Sequence, residues 1–184
     1  MESRRFVRLS EEHVDACARI LSQQWPRQGL SSRRFALRAH LKHAKPEQPL
    51  PCHLLMMEGE RVLAHCRVQR ACENNDGFSA AVVSLVVDGE RRGTGCGRQL
   101  LQHAEQVAAA AGFVYMYLWT HDAQGFYLKC GYSVCDKVSM HRPALASLGS
   151  EAVGKLEALM ASRAGSREDP ETTVRADSTW LRRR

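Results

Sequence analysis

The stretch "SLVVDGERRGTGCGRQLLQHAEQ" (residues 84–106) decides the reading of this chain. An apolar run ends in Asp88-Gly89. Arg91 and Arg92 follow, then glycines on alternate positions, Gly93, Gly95 and Gly97, separated by Thr94 and Cys96. After Arg98, the apolar positions Leu100, Ala104, Val107 and Ala111 take up helical spacing. A loop between a strand and a helix leaves the first helical N–H groups without intrahelical partners. They form a positive nest that suits a phosphate or pyrophosphate. Glycine serves there because a Cβ would block close approach and because some positions require positive φ. Arg91 and Arg92 add charge. Two better-known glycine loops are excluded. The dinucleotide fingerprint needs G-x-G-x-x-G, and here the spacing is two and two. The Walker loop needs Lys-Ser/Thr after its last glycine, and here Arg98-Gln99 follows.

Working outward, "RRFVRLS" (4–10) predicts a strand. Residues 10–24 predict a helix with Ser10 as N-cap and a stripe of Val14, Cys17, Ala18 and Leu21. Trp25, Pro26, Arg27 and Gly29 fall in a break over 25–32. A second helix over 31–45 carries Leu37, Leu41 and Ala44 on one side and Arg34, Arg38, Lys42 and Lys45 on another. Strands are expected over 52–58 and 61–70, joined at Gly59-Glu60 as a hairpin. A buried strand over 78–88 leads into the glycine loop, and a helix over 95–112 stops at Gly112. Then come a strand over 113–120, a short helix over 123–131 and a strand over 132–140. A helix over 147–162, a loop over 163–171 and a last strand within 172–184 holding Trp180 complete the expectation. The alternation argues one mixed α/β domain around a single sheet, spanning residues 1–184.

Composition bounds the function. The chain has 184 residues, enough for one domain with a sizeable core. No apolar run approaches the ~20 residues a membrane span needs. The charged start "MESRRFVRLSEEH" lacks the apolar region of a secretory signal. Seven scattered cysteines without a C-x-x-C pair fit reduced thiols in a cytosolic or nuclear protein, with a cytoplasmic one expected here, and argue against a disulfide framework or a structural zinc site. The net charge is +6, and no acidic residue lies between Asp15 and Glu47. That basic block, with Arg19, Arg27, Arg33, Arg34, Arg38, Lys42, Lys45, His40 and His43, attracts anions: phosphates, nucleic acid or an acidic peptide. Its bland alternative is a solvated helix face.

The pattern Arg92-Gly93-Thr94-Gly95-Cys96-Gly97, after a long strand and before a helix, resembles the GCN5-related N-acetyltransferase (GNAT) superfamily. A second landmark, "FYLKCGY" (126–132), matches the F-Y-x-x-x-G-[FY] segment common there one strand later. The segments "QWPR", "LWTHDAQGFYLKCGY" and the terminal "TWLRRR" look like one branch, the N-terminal acetyltransferases that modify processed actin. The resemblance covers roughly residues 14–140 and the last strand. It implies a central, mixed but mostly antiparallel sheet of about seven strands flanked by helices. It also implies acetyl-CoA as cosubstrate, held by the backbone of Leu85, Val86 and Val87 and by residues 91–98. Tyr127 is then the general acid near the coenzyme sulfur. The "THD" of Thr120, His121 and Asp122 falls at the substrate's first residue. Vertebrate members of that branch carry a long proline-rich insertion before the last strand, linked to profilin binding. Residues 141–171 here hold only Pro143 and Pro170, which argues against profilin-assisted recognition.

The chemistry fits attack of an α-amine on an acetyl thioester. An α-amine has pKa ≈ 7.7–8.0, so on the order of a tenth is neutral at pH 7. A base still helps, and His121 with Asp122 is the nearest candidate, a water relay being the alternative. An acidic N-terminus gives the basic block a role: Arg27, Arg33, Arg34 and Arg38 as carboxylate partners, with Trp25 walling the pocket. The expected partner is thus the actin N-terminus, met by a monomer, with no nucleic acid and no membrane. Two other functions remain open: acetylation of a lysine or small amine, and a basic RNA- or phosphate-binding module. Against the latter, Phe and Tyr are not interleaved with the arginines, as base stacking requires.

Overall fold

The computed structural model describes residues 3–26, 29–44, 48–71, 78–137 and 179–184. In chain order the elements are β1 (Arg4–Arg8), α1 (Val14–Gln24), α2 (Leu30–His43), β2 (Cys52–Glu58), β3 (Arg61–Arg70) and β4 (Ser79–Val87). Then follow α3 (Cys96–Ala110), β5 (Tyr115–Thr120), α4 (Gln124–Lys129), β6 (Ser133–Val134) and β7 (Thr179–Arg183). Among the described residues the seven strands form one sheet in the order β1-β2-β3-β4-β5-β7-β6. All neighbours are antiparallel except β4 and β5.

The sheet is covered on both faces, as its central strands require. Successive strand residues point to opposite faces, and β2 is buried at every position but its last. Leu54, Met56, Cys66, Val68 and Val82 pack under α3 and α4, against Leu100, Leu101, Ala104 and Tyr127. Leu55, Met57 and Val86 pack under α1 and α2, against Val14, Cys17, Leu21 and Leu37. Leu100 is fully buried, and truncating such a side chain to alanine costs about 2–5 kcal/mol. Helix α1 stops where the proline disfavours helical backbone in the residue before it: Trp25 turns to φ −127°, ψ 79° ahead of Pro26.

The expected elements form, with local corrections. Ser10 holds the extended backbone of an N-cap ahead of a single 3-10 turn over Glu11–His13. Its hydroxyl reaches the side chains of Glu12 (3.0 Å) and His13 (2.6 Å) and caps no backbone N–H. On α2 the buried residues are Leu37 and, unexpectedly, Arg33, while Ala44 is exposed. Among the described residues the penultimate strand is Ser133–Val134, and just beyond it the Cys135 N–H donates to the Trp180 carbonyl (3.0 Å); residues 138–140 of the expected strand lie outside the described residues. The helix and loop expected over 147–171 lie outside the described residues.

One departure from regularity creates the site. The parallel ladder between β4 and β5 runs from Ser79↔Tyr115 to Val82↔Leu118 and ends there. Beyond it β5 stays with β7, Trp119 facing Trp180 and Thr120 facing Thr179, while β4 stays with β3 through Val87. A bulge coincides with the parting. Val82 faces Val68 and Ser84 faces Arg67, so Val83 is left outside the ladder. A bulge bends its strand and increases local twist. Among the described residues the β5-facing edge of residues 83–87 is therefore unpaired, which leaves a cleft between the ends of β4 and β5.

Candidate active site

The glycine loop stands at the open end of that cleft. Asp88 starts it: its side chain accepts the Glu90 N–H (3.2 Å), and Arg61 clamps both Asp88 and Glu90 at 2.6 Å. Burial pushes the Asp88 carboxyl up, but Arg61, the Glu90 N–H and the charge of Arg91 together hold it below the usual carboxylate range. Gly93 (φ 75°) and Gly95 (φ 83°) adopt left-handed backbone that a side chain resists, and no backbone approaches within 4 Å of where a Cβ would stand on either. Gly97 has a different task. A Cβ there would lie 3.4 Å from Val87 and 3.5 Å from Phe126, so its lack of a side chain brings α3 onto β4 and α4. Gly95 is the N-cap of α3, and no side chain caps the helix. Its leading N–H groups thus face outward with the positive end of the helix dipole.

The flanking residues sort by partner. Arg91 turns back to Glu58 on β2 (2.5 Å). Arg92 is exposed and spans to Gln24 at the end of α1 (2.8 Å). Thr94 donates to the Arg91 carbonyl (2.6 Å) and lies 3.2 Å from the Cys96 sulfur, closing the turn. Arg98 is exposed and reaches the Lys129 carbonyl at the end of α4. Leu85 and Val87 point to the α3 side and Val86 to the α1–α2 side, so what this strand offers the cleft is backbone.

Tyr127 comes from α4 on the α3 side. It is buried, edge-on to Phe126 and Tyr132 with ring centroids at 4.9 and 5.9 Å. Burial, with Cys66, Cys130 and Asp122 nearby, pushes its phenol well above the usual tyrosine range, so it keeps its proton at neutral pH. Thr120, at the end of β5, accepts the Ala123 N–H (3.1 Å) and shapes the turn into α4. His121 and Asp122 are exposed in that turn.

The basic block is differently arranged from the expectation. Arg33 is 2% exposed, donates to the Trp25 carbonyl (2.8 Å) and lies 5.8 Å over the Trp25 ring. Trp25 itself packs against the α1–α2 core. Arg34 pairs with Asp15 (2.6 Å) and Arg38 with Glu11 (2.5 Å), bracing α2 against the start of α1. Arg27 lies outside the described residues.

Sequence reading missed a chain of imidazoles beneath α2. His53 on β2 bridges His65 on β3 (2.8 Å) and His40 on α2 (3.0 Å). Burial first, then the charges of Arg67, His40 and Arg33, pulls His65 down to about 3. His53 is likewise held well below its ordinary value, by burial and then by His65, His40 and Arg67. Both rings are neutral at physiological pH.

The sheet is covered on both faces and parts between its two parallel strands, with an uncapped glycine turn after β4 and a buried tyrosine on the helix after β5. The family model described as acetyltransferase (GNAT) family matches residues 14–132, and the chain belongs to that family. It is 33% identical over 134 residues to N-alpha-acetyltransferase 80 of Mus musculus, an alignment covering 69% of this chain and 40% of the mouse protein. The chain thus spans well under half the length of that relative. Among solved structures it is similar to an N-acetyltransferase from Staphylococcus aureus Mu50, with TM-score 0.60 and 15% identity over 73% of this chain and 86% of that one. A GNAT-family acetyltransferase from Brucella melitensis in complex with acetyl-CoA gives TM-score 0.56 and 16% identity over 72% and 84%. At these identities the structural neighbours speak to fold.

Proposed function

We propose that this chain transfers the acetyl group of acetyl-CoA to the α-amine of an acidic peptide N-terminus, with processed actin the protein that presents one. The observation that supports the reading is the parting of β4 from β5 beyond Val82↔Leu118, with the glycine turn following β4 and Tyr127 on the helix that follows β5. The residues fit the coenzyme: Gly93 and Gly95 offer no Cβ, α3 is uncapped, and the open edge of residues 83–87 can take the acyl arm in backbone hydrogen bonds. A backbone N–H on that edge suits the charge that develops on the thioester oxygen.

The amine nitrogen bonds to the acyl carbon and the carbon–sulfur bond breaks. The Tyr127 hydroxyl supplies the proton that the departing sulfur needs, and its elevated pKa keeps that proton available. The amine's surplus proton leaves to water or to His121, in the exposed turn after β5. The glycine turn and Tyr127 both lie on the α3 side, which leaves the α1–α2 side of the cleft to the acceptor. Residues 16–46 on that side hold no acid, while Arg34 and Arg38 are paired with Asp15 and Glu11. The relation to N-alpha-acetyltransferase 80 supports an N-terminal acceptor. The test is acetyl transfer to peptides with free acidic N-termini. Transfer to a lysine side chain instead would overturn the acceptor assignment while leaving the acetyltransferase reading intact.

A further inference from the structure

On the α1–α2 face three strands place a polar row across the sheet at the parting. His53 faces Arg67, and Arg67 faces Ser84, in register. Strand alternation sets Ser84 on the face of Val86, and His65 and Arg67 on the face opposite Cys66 and Val68. Ser84 is two residues past Val82, the last β4 position paired with β5, so it sits at the vertex of the cleft. His65 is the next residue along on this face, opposite Val86.

Among the polar atoms here without a hydrogen-bond partner are Ser84 Oγ and His65 Nδ1. Ser84 is 4% exposed and His65 fully buried. A buried polar atom left unsatisfied costs about 1–3 kcal/mol, so two on one face at the cleft vertex call for an occupant. Its sign is set by the surroundings. The charged neighbours acting on these rings are basic: Arg67 on both and Arg33 on His65. The imidazole chain can run so that His40 donates to His53 and His53 to His65. His65 Nδ1 then carries the hydrogen and is a donor.

We infer that Ser84 and His65, with the charge of Arg67, form an acceptor subsite for the side-chain carboxylate of the substrate's first residue. This rests on the acceptor reading above and moves first-residue specificity from the arginines of α2 to Ser84, His65 and Arg67 on β3 and β4. Ser84 Oγ–H and His65 Nδ1–H donate to the carboxylate, and Arg67 supplies the counter-charge. An asparagine side chain of the same shape offers less charge and one acceptor fewer.

The test is kcat/KM with acetyl-CoA for two peptides, Asp-Ala-Ala-Ala and Asn-Ala-Ala-Ala, on wild type and on Ser84→Ala, Arg67→Gln and Arg67→Lys. Wild type should prefer the Asp peptide. Arg67→Gln should erase that preference by lowering the Asp value about ten- to a hundredfold, the scale of hydrogen bonds to charged groups, with the Asn value nearly unchanged. Ser84→Ala removes one hydroxyl without altering the fold and should act the same way, more weakly; Arg67→Lys should restore part of the preference. On the protein loaded with coenzyme A, Asp-Ala-Ala-Ala should shift the His65 ring-nitrogen resonances to the Nδ1–H tautomer, and Asn-Ala-Ala-Ala should not. An Asp preference unaltered in folded Ser84→Ala and Arg67→Gln overturns the subsite alone. Wild type inert toward both peptides overturns the acceptor reading and the subsite with it.

Discussion

Gly95 separates the conformational and electrostatic contributions of the glycine turn. Its φ of 83° and ψ of −3° lie in the left-handed region, and the nearest atom to an added Cβ is the flexible end of Gln99 at 3.9 Å. A side chain therefore meets backbone strain and no clash. Asn and Asp tolerate this region better than other residues, and they are nearly isosteric. Gly95→Asn and Gly95→Asp should each lose at most about 1–2 kcal/mol of stability. At ~2–4 °C per kcal/mol for a chain of this size, that is a drop of roughly 2–8 °C in Tm. The aspartate should be the less destabilised of the two, since an acid near a helix N-terminus contributes about 0.3–1 kcal/mol. Coenzyme binding should rank the other way. A carboxylate ~5 Å from a phosphate at an effective dielectric of about 20 repels it by about 3 kcal/mol. Calorimetric titration with coenzyme A should therefore give Gly95→Asp an affinity a hundredfold or more below that of Gly95→Asn. The gap should narrow as added salt shortens the Debye length. Two folded variants binding coenzyme A equally and as tightly as wild type would refute the placement of the pyrophosphate.

Other perturbations address the rest of the account. Tyr127→Phe should lower kcat about 10²–10⁴-fold, the usual worth of a positioned acid, with coenzyme KM unchanged; because burial holds the phenol protonated, wild-type kcat should show no loss from Tyr127 ionisation up to the ordinary tyrosine pKa of about 10. His65 is pulled down to about 3, so the unfolded chain binds its proton first as pH falls below ~6.5. Stability should thus be full above pH 6.5 and decline below it, this residue contributing up to ~1.4 kcal/mol per pH unit, and urea unfolding of His65→Gln should show a shallower decline. Reversing Arg34 and Arg38 to glutamate should lower Tm by setting like charges against Asp15 and Glu11, and adding Asp15→Arg and Glu11→Arg should restore it.

Much of this architecture is legible in the chain because local rules and tertiary packing agree. The stripe Val14, Cys17, Ala18 and Leu21 is the buried face of α1, and Gly112 with φ 87° ends the helix run that precedes β5. Arg33 and the arginine pairs escaped because a one-dimensional count of charge ignores partners across a helix pair. The signal was present in two ladders of spacing four, Glu11 with Asp15 and Arg34 with Arg38, and meaning followed only once α1 and α2 were packed together. The imidazole chain was hidden more deeply. His40, His53 and His65 stand 13 and 12 residues apart and meet only through strand register and the seating of α2 on the sheet. Ser84 lay inside the quoted stretch, yet nothing in an apolar strand marks the residue at which a neighbour departs.

The central claim is transfer of acetyl to an acidic N-terminus, and the most direct measurement is acetyl transfer from acetyl-CoA to a small peptide panel. The panel holds Asp-Asp-Asp and Glu-Glu-Glu N-termini, Met- and Ser-starting controls, and a lysine peptide with a blocked N-terminus. Turnover should be confined to the acidic N-termini. Turnover on the blocked lysine peptide, or on none of the five, would contradict it.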